Sequence, residues 1–175
     1  MSKALLLIDL QNDYFPGGAY PLWNTEQTLA NIERTIAAAQ AEGVAIVHIQ
    51  HVADPSAGPS PFFNEGSEGV KVHERVLAAA PGAPVVVKHF SDSFEQTTLE
   101  DTLTKLGVDE LLVAGMMTQN CVTHTAISKA AEPYQVKVLL DCCTTVDEMV
   151  HMIALHGMSH RVTLMPAADA IGASA

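Results

Sequence analysis

Positive charge is scarce in this sequence. Nine Lys and Arg stand against 20 Asp and Glu, a formal charge of −11 with His neutral. A surface that acidic repels phosphate, so neither nucleic acid nor an anionic membrane is expected as a partner. Long apolar runs are also missing, and none reaches the roughly 18 residues of a membrane span. The start, Met1-Ser2-Lys3-Ala4-Leu5, leads into a short apolar stretch that meets Asp9 with no small-residue cleavage site. That makes a poor signal peptide, and a soluble cytoplasmic location is expected. Cysteine is sparse and odd in number, at three, so disulfides are not the organising device. No G-x-G-x-x-G follows a strand pattern and no P-loop motif occurs, which leaves dinucleotide and P-loop readings without support. Apolar residues, in contrast, make up 48% of the chain and charged ones 17%. That is enough to bury a full core, which excludes a mostly disordered chain. The 175 residues fit a single domain, 1–175.

Short apolar runs alternate with longer amphipathic ones. Ala4–Leu10, Val44–Ile49, Val85–His89, Glu110–Ala114, Val136–Leu140 and Val162–Met165 read as strands. Between them, Asn24 with Gln27 resembles a capping box opening a helix that Gly43 stops. Ser93 can cap a helix carrying Leu99, Leu103 and Leu106. A helix is expected over about Asn120–Ala131. Thr145 with Glu148 is a second capping box, before a helix ending near Gly157. This alternation predicts an α/β fold, a doubly wound parallel sheet with helices on both faces. In such sheets ligands bind at the carboxyl ends of the strands. The segment Ala53–Pro84 is Pro-, Gly- and Ser-rich and long for a connection. It reads as a surface meander, as a lid over the strand ends or as a subunit contact.

Asp9, Lys88 and Cys121 fall at the ends of three different strands. Asp9 and Lys88 interrupt apolar runs, where an unpaired charge is costly. Each can offset the other's burial. Cys121 is expected in the first turn of a helix, where the dipole and free N–H groups favour thiolate. A carboxylate nearby can take the thiol proton, and the same N–H groups can hold an oxyanion. A lone buried Cys is also a common packing residue, and spacing alone leaves both readings open.

Four segments together resemble the isochorismatase-like cysteine hydrolase superfamily. Ala4–Phe15 (ALLLIDLQNDYF) resembles its apolar strand followed by D-x-Q-N-D-F. Lys88 with Ser93 and Phe94 resembles its K-x-x-x-S-x-F segment. Val113–Ala126 (VAGMMTQNCVTHTA) resembles V-x-G-x-x-T-x-x-C-V-x-x-T-A. Val138–Thr144 (VLLDCCT) resembles its closing strand and D-A-x-x segment. The match runs in order from about Lys3 to Ala168. The resemblance implies six parallel strands in the order 3-2-1-4-5-6 and a catalytic triad of Asp9, Lys88 and Cys121. It further implies a cis peptide between Met116 and Met117 and an oxyanion hole from the N–H groups of Met117 and Cys121.

Isochorismatases of this superfamily do without the cysteine, so its presence here favours cleavage of an amide or carbamoyl C–N bond through a thioester. The alternatives are a vinyl ether hydrolase and a non-catalytic α/β binding protein. Nicotinamidases of the superfamily bind a metal through D-x-H after the second strand. Here that stretch is Gln50-His51-Val52-Ala53-Asp54, and His89 follows Lys88 instead of preceding it. No metal and no cofactor are therefore expected, and nicotinamide is doubted as substrate. The expected partners are a small-molecule substrate and further copies of the chain, since the superfamily is commonly oligomeric.

Phe15, Trp23, His51, Phe62, Thr118 and Gln119 are the candidates for substrate contact. Gln11 and Asn12 are expected to hold the Asp9 loop, and Asn12 to orient Asp9. His124, three residues past Cys121, ranks below Asp9 as base. His156 and His160 read as structural, and Cys142 and Cys143 as packing residues.

Overall fold

The computed structural model describes residues 2–171. Strands are β1 (Lys3–Ile8), β2 (Ala45–His51), β3 (Val85–Lys88), β4 (Glu110–Met116), β5 (Gln135–Thr144) and β6 (Thr163–Met165). Helices are α1 (Thr25–Ala41), α2 (Glu74–Ala79), α3 (Leu99–Leu106), α4 (Thr123–Ala126), α5 (Glu148–Met158) and α6 (Ala167–Ile171). All six strands are parallel, in the order β3-β2-β1-β4-β5-β6. Reversal of winding at β1 is what makes the sheet doubly wound, and it places the switch point between β1 and β4.

Side chains along β1 point alternately into two apolar cores, as the strand period of two requires. Leu5 and Leu7 join Leu29, Ile32 and Ile36 of α1 and Val76 of α2 on one face. Ala4, Leu6 and Ile8 join Leu99 and Leu103 of α3, Val122, and Leu155 and Met158 of α5 on the other. Each fully buried Leu or Ile contributes about 1.5–3 kcal/mol against exposure. No helix among the described residues is long and apolar enough to cross a membrane.

The expected caps are corrected. Asn24 lies in the left-handed region at φ 53° and makes no side-chain cap; Gln27 turns instead to Asn31, at 3.0 Å. Ser93 caps nothing. It is fully buried, and its N–H donates to Thr125 Oγ1. The N-cap of α5 is Asp147, whose Oδ1 accepts the Val150 N–H at 2.8 Å, while the Thr145 hydroxyl donates to Gln119. Asp147→Ala should therefore lower stability by about 1 kcal/mol, a modest drop in a thermal melt, whereas Thr145 should not behave as a cap. The helix expected over Asn120–Ala131 is also corrected. A π-helical turn spans Thr118–Val122, α4 stops at Ala126, and a 3-10 turn covers Lys129–Ala131. The connection after β2 carries a 3-10 turn, Pro55–Ala57, and α2.

Candidate active site

β1 stops because Asp9 turns into the left-handed region, at φ 52°, while its N–H still donates to Ile49 of β2. The carboxylate thus leaves the ladder at the carboxyl edge of the sheet. Lys88 is the last residue of β3 and is buried beside it, with Nζ 3.1 Å from Asp9 Oδ2. β4 approaches β1 closely at Gly115, where φ is 130° and a Cβ would fall 2.0 Å from the Ile8 carbonyl oxygen. Only glycine fits there. The peptide between Met116 and Met117 is cis, and the π-helical turn then delivers Cys121. Its Sγ lies 3.2 Å from Lys88 Nζ. Asp9, Lys88 and Cys121 are 0%, 1% and 3% exposed. The three strand-end residues are brought together as expected.

Electrostatics differ from the expectation for the thiol. α4 has four residues, too short for a useful dipole. Burial pushes the Cys121 thiol well above its ordinary range, the Asp9 charge adds to this, and Lys88 only partly opposes it. That direction favours the thiol form of the resting sulfur. Burial works against the Lys88 ammonium, yet Asp9 and Cys121 together hold its pKa above the ordinary lysine value. Oδ1 of Asp9 is buried and has no hydrogen-bond partner among the described residues. A bare carboxylate oxygen next to a thiol is an acceptor waiting for a proton.

His51 ends β2 and also reaches the site, with Nδ1 2.9 Å from Lys88 Nζ. Burial first, then Lys88, lower its pKa to about 4, so the ring is neutral at ordinary pH. The side chain of Gln11 brackets the His51 backbone, accepting its N–H at 2.8 Å and donating to its carbonyl at 2.7 Å. Gln11 holds the Asp9 loop as expected. Asn12 does not orient Asp9; its side chain donates to the Glu68 carbonyl. The larger anchor is Asp13, whose carboxylate accepts the N–H groups of Phe63 (2.7 Å) and Ala19 (3.0 Å). The Phe63 contact ties the Ala53–Pro84 segment to the loop that follows β1.

That segment supplies an aromatic wall. Tyr14 packs on Phe63 (4.5 Å) and Phe62 (5.4 Å), and Phe63 lies 5.9 Å from the His51 ring. Burial, then Asp9 and Cys121, drive the Tyr14 phenol far above its usual pKa, so it stays a neutral donor. Tyr14 is legible in the sequence only as the residue at the last position of the D-x-Q-N-D-F motif. Phe15 lies outside this wall, in the core against His73 at 4.3 Å. On the other side, the Thr118 hydroxyl bonds to His151 Nδ1 at 2.8 Å, and Gln119 accepts from Thr145 at 2.6 Å. The half-buried Trp23 sits 6.1 Å from the His151 ring. His151 belongs to α5, and no motif in the sequence pointed to it. His124 is exposed and bonds to the Asn120 carbonyl.

Asp9, His51 and Cys121 offer donor atoms within 4.8 Å of one another, but the Lys88 ammonium already contacts all three. After β2, Asp54 caps the turn at Ser56, and His89 bonds to the Val52 carbonyl. A nicotinamidase-type ligand set does not fit. A cleft of about 700 Å³ lined by Ser128, Tyr134, Lys137 and Arg161 contains none of the site residues.

The family model described as the Isochorismatase domain matches residues 3–169. YddQ, an isochorismatase family protein of Bacillus subtilis, is 37% identical over 83% of this chain and 79% of its own length. The nicotinamidase of Escherichia coli is 29% identical over 83% of this chain and 84% of its own. Among solved structures, an isochorismatase family protein from Desulfovibrio vulgaris superposes with a TM-score of 0.86 at 28% identity, covering 97% of this chain and 96% of that one.

Proposed function

The chain belongs to the isochorismatase family, and from that premise we propose that it hydrolyses the C–N bond of a small amide or carbamoyl compound through a Cys121 thioester. The observation that carries this reading is a buried thiol within bonding reach of an ammonium and beside a carboxylate with one unpartnered oxygen. Vinyl ether hydrolysis needs a proton donor but no sulfur nucleophile, so that reading leaves Cys121 without a task. The amidase among the relatives supports C–N cleavage.

In the proposed sequence Asp9 takes the thiol proton, and Lys88 steadies the negative charge as it passes from the carboxylate to sulfur. Cys121 Sγ attacks the carbonyl carbon and the carbonyl π pair moves to oxygen. The N–H groups of Met117 and Cys121 hold that oxyanion. Collapse breaks the C–N bond as Asp9 returns the proton to the leaving nitrogen. Water, deprotonated by Asp9, then attacks the thioester and releases acid and thiol. Phe62 and Trp23 frame the substrate, with Thr118 and Gln119 beside the nucleophile.

The test is a screen of small primary amides and ureides for ammonia release, with isochorismate assayed in parallel for pyruvate. Ammonia from at least one amide, with none from the Cys121→Ala protein, is the expected result. Nicotinamide is expected to be a poor substrate because the ligand set it accompanies is not assembled here. Pyruvate release that survives Cys121→Ala would transfer the assignment to ether hydrolysis.

A further inference from the structure

Lys88 Nζ is ringed by four acceptor atoms. His51 Nδ1 lies at 2.9 Å, the Phe90 carbonyl oxygen at 3.0 Å, Asp9 Oδ2 at 3.1 Å and Cys121 Sγ at 3.2 Å. An ammonium carries three protons. All four contacts cannot be donated at once, so one acceptor is always short.

The shortest contact is to His51. Because the ammonium can only donate, His51 Nδ1 must present its lone pair, and the neutral ring carries its proton on Nε2. The imidazole has little freedom to leave. Its backbone is bracketed by Gln11 and its ring faces Phe63.

We propose that His51 is a positioning residue that accepts a hydrogen bond from one of the three Lys88 N–H groups, withholds it from sulfur, and so sets Cys121 to rest as a thiol instead of a thiolate. With His51 and the Phe90 carbonyl each served, Asp9 and Cys121 compete for the remaining proton. A carboxylate is the stronger acceptor, and the sulfur is left to keep its own hydrogen. The neutral state of His51, held down to a pKa of about 4, means that the competition persists across the physiological range. A resting thiol is less open to oxidation and alkylation than a thiolate, so the arrangement guards the nucleophile between turnovers. The charged and titratable groups that face this centre are Asp9 after β1, His51 on β2, Lys88 on β3, Tyr14 in the loop after β1, and His89 one step beyond.

The inference rests on Cys121 being the nucleophile, but its test needs no substrate. The rate of Cys121 alkylation by iodoacetamide is measured against pH in the wild type, His51→Leu and His51→Gln. Cys121→Ala supplies the background from Cys142 and Cys143. Leu keeps bulk and removes the acceptor, which frees a Lys88 proton for sulfur. The midpoint should fall by about one pH unit, making alkylation about tenfold faster at a fixed pH below it. Gln, whose Oε1 can accept, should restore the profile toward wild type. An unchanged or upward-shifted midpoint in His51→Leu would overturn the proposal and leave His51 a packing residue.

Should His51→Leu fail to fold, nitrogen-15 NMR of the wild type decides the matter. An Nε2–H tautomer at pH 7 is expected, and an Nδ1–H tautomer excludes the proton count on which the proposal stands. Absence of ammonia release with the alkylation shift intact would sink the amidase reading alone.

Discussion

Cys121→Ala is expected to lower amide hydrolysis by about 10⁴-fold or more, because the proposed thioester route cannot run without the sulfur. The same change should leave the fold standing. Cys121 contributes one small side chain at the border of a core, and its loss should cost about 1 kcal/mol or less. The two readouts must therefore separate: activity at background, melting temperature close to wild type. Activity within tenfold of wild type would remove the sulfur from the mechanism. A collapse of stability would instead mean that Cys121 is chiefly a packing residue, the reading its burial alone would suggest.

Lys88→Met should have the opposite signature, a large loss in both. Methionine matches the length of the aliphatic stem but strips the donor from four acceptors at once. Asp9 is then a fully buried carboxylate without compensation, and breaking such a pair costs about 3–5 kcal/mol. The pH dependence has a definite sign. The folded-state pKa of Lys88 is raised, so its contribution to stability is fully present below the ordinary lysine value and fades only as pH climbs through the folded one. Across the neutral range wild type keeps it all. Urea unfolding of both proteins at pH 8, inside that range, measures the deficit. Equal stability of the two proteins at pH 8 would show that the ammonium is not what balances Asp9.

Much of the sheet could be read from the chain because buried parallel strands are near-continuous apolar runs. β1 and β4 are the clear cases, and charged residues interrupting or closing such runs marked Asp9 and Lys88. β5 was read short, as Val136–Leu140, against an observed Gln135–Thr144. Its second half carries Asp141 and three polar or sulfur residues, and its pairing with β4 shifts register between Val113 and Gly115. Neither a polar tail nor a shifted register has a signature in apolar periodicity. β3 proved an edge strand with Val85 and Val87 exposed, which a run of three valines conceals. The short helices α2 and α6 carry too few turns for a periodic signal.

Caps failed for a more instructive reason. Asn24, Ser93 and Thr145 are all plausible capping types, but Ser93 is committed by tertiary contact to Thr125 and Thr145 to Gln119, while Asn24 sits in the left-handed region instead of the extended backbone of a cap. In the site, the three strand-end residues were legible and those that pack around them were not. His51 was read as a pocket residue. Its bond to Lys88 depends on the β2–β3 register, which aligns His51 with Lys88 and which no local pattern records. Tyr14 and His151 reach the site through loop closure and helix packing, equally invisible in one dimension.

The order β3-β2-β1-β4 has an outcome for the molecule as a machine. Read across the sheet, these four neighbours deliver Lys88, His51, Asp9 and Cys121 in turn, so the working parts form a row perpendicular to the chain direction. No fragment shorter than the stretch from Asp9 to Cys121 holds them, and peeling away any member of the quartet dismantles the whole apparatus. A partly assembled chain therefore carries Cys121 as an ordinary accessible thiol, and only the docked quartet of strands buries it against Lys88 and Asp9.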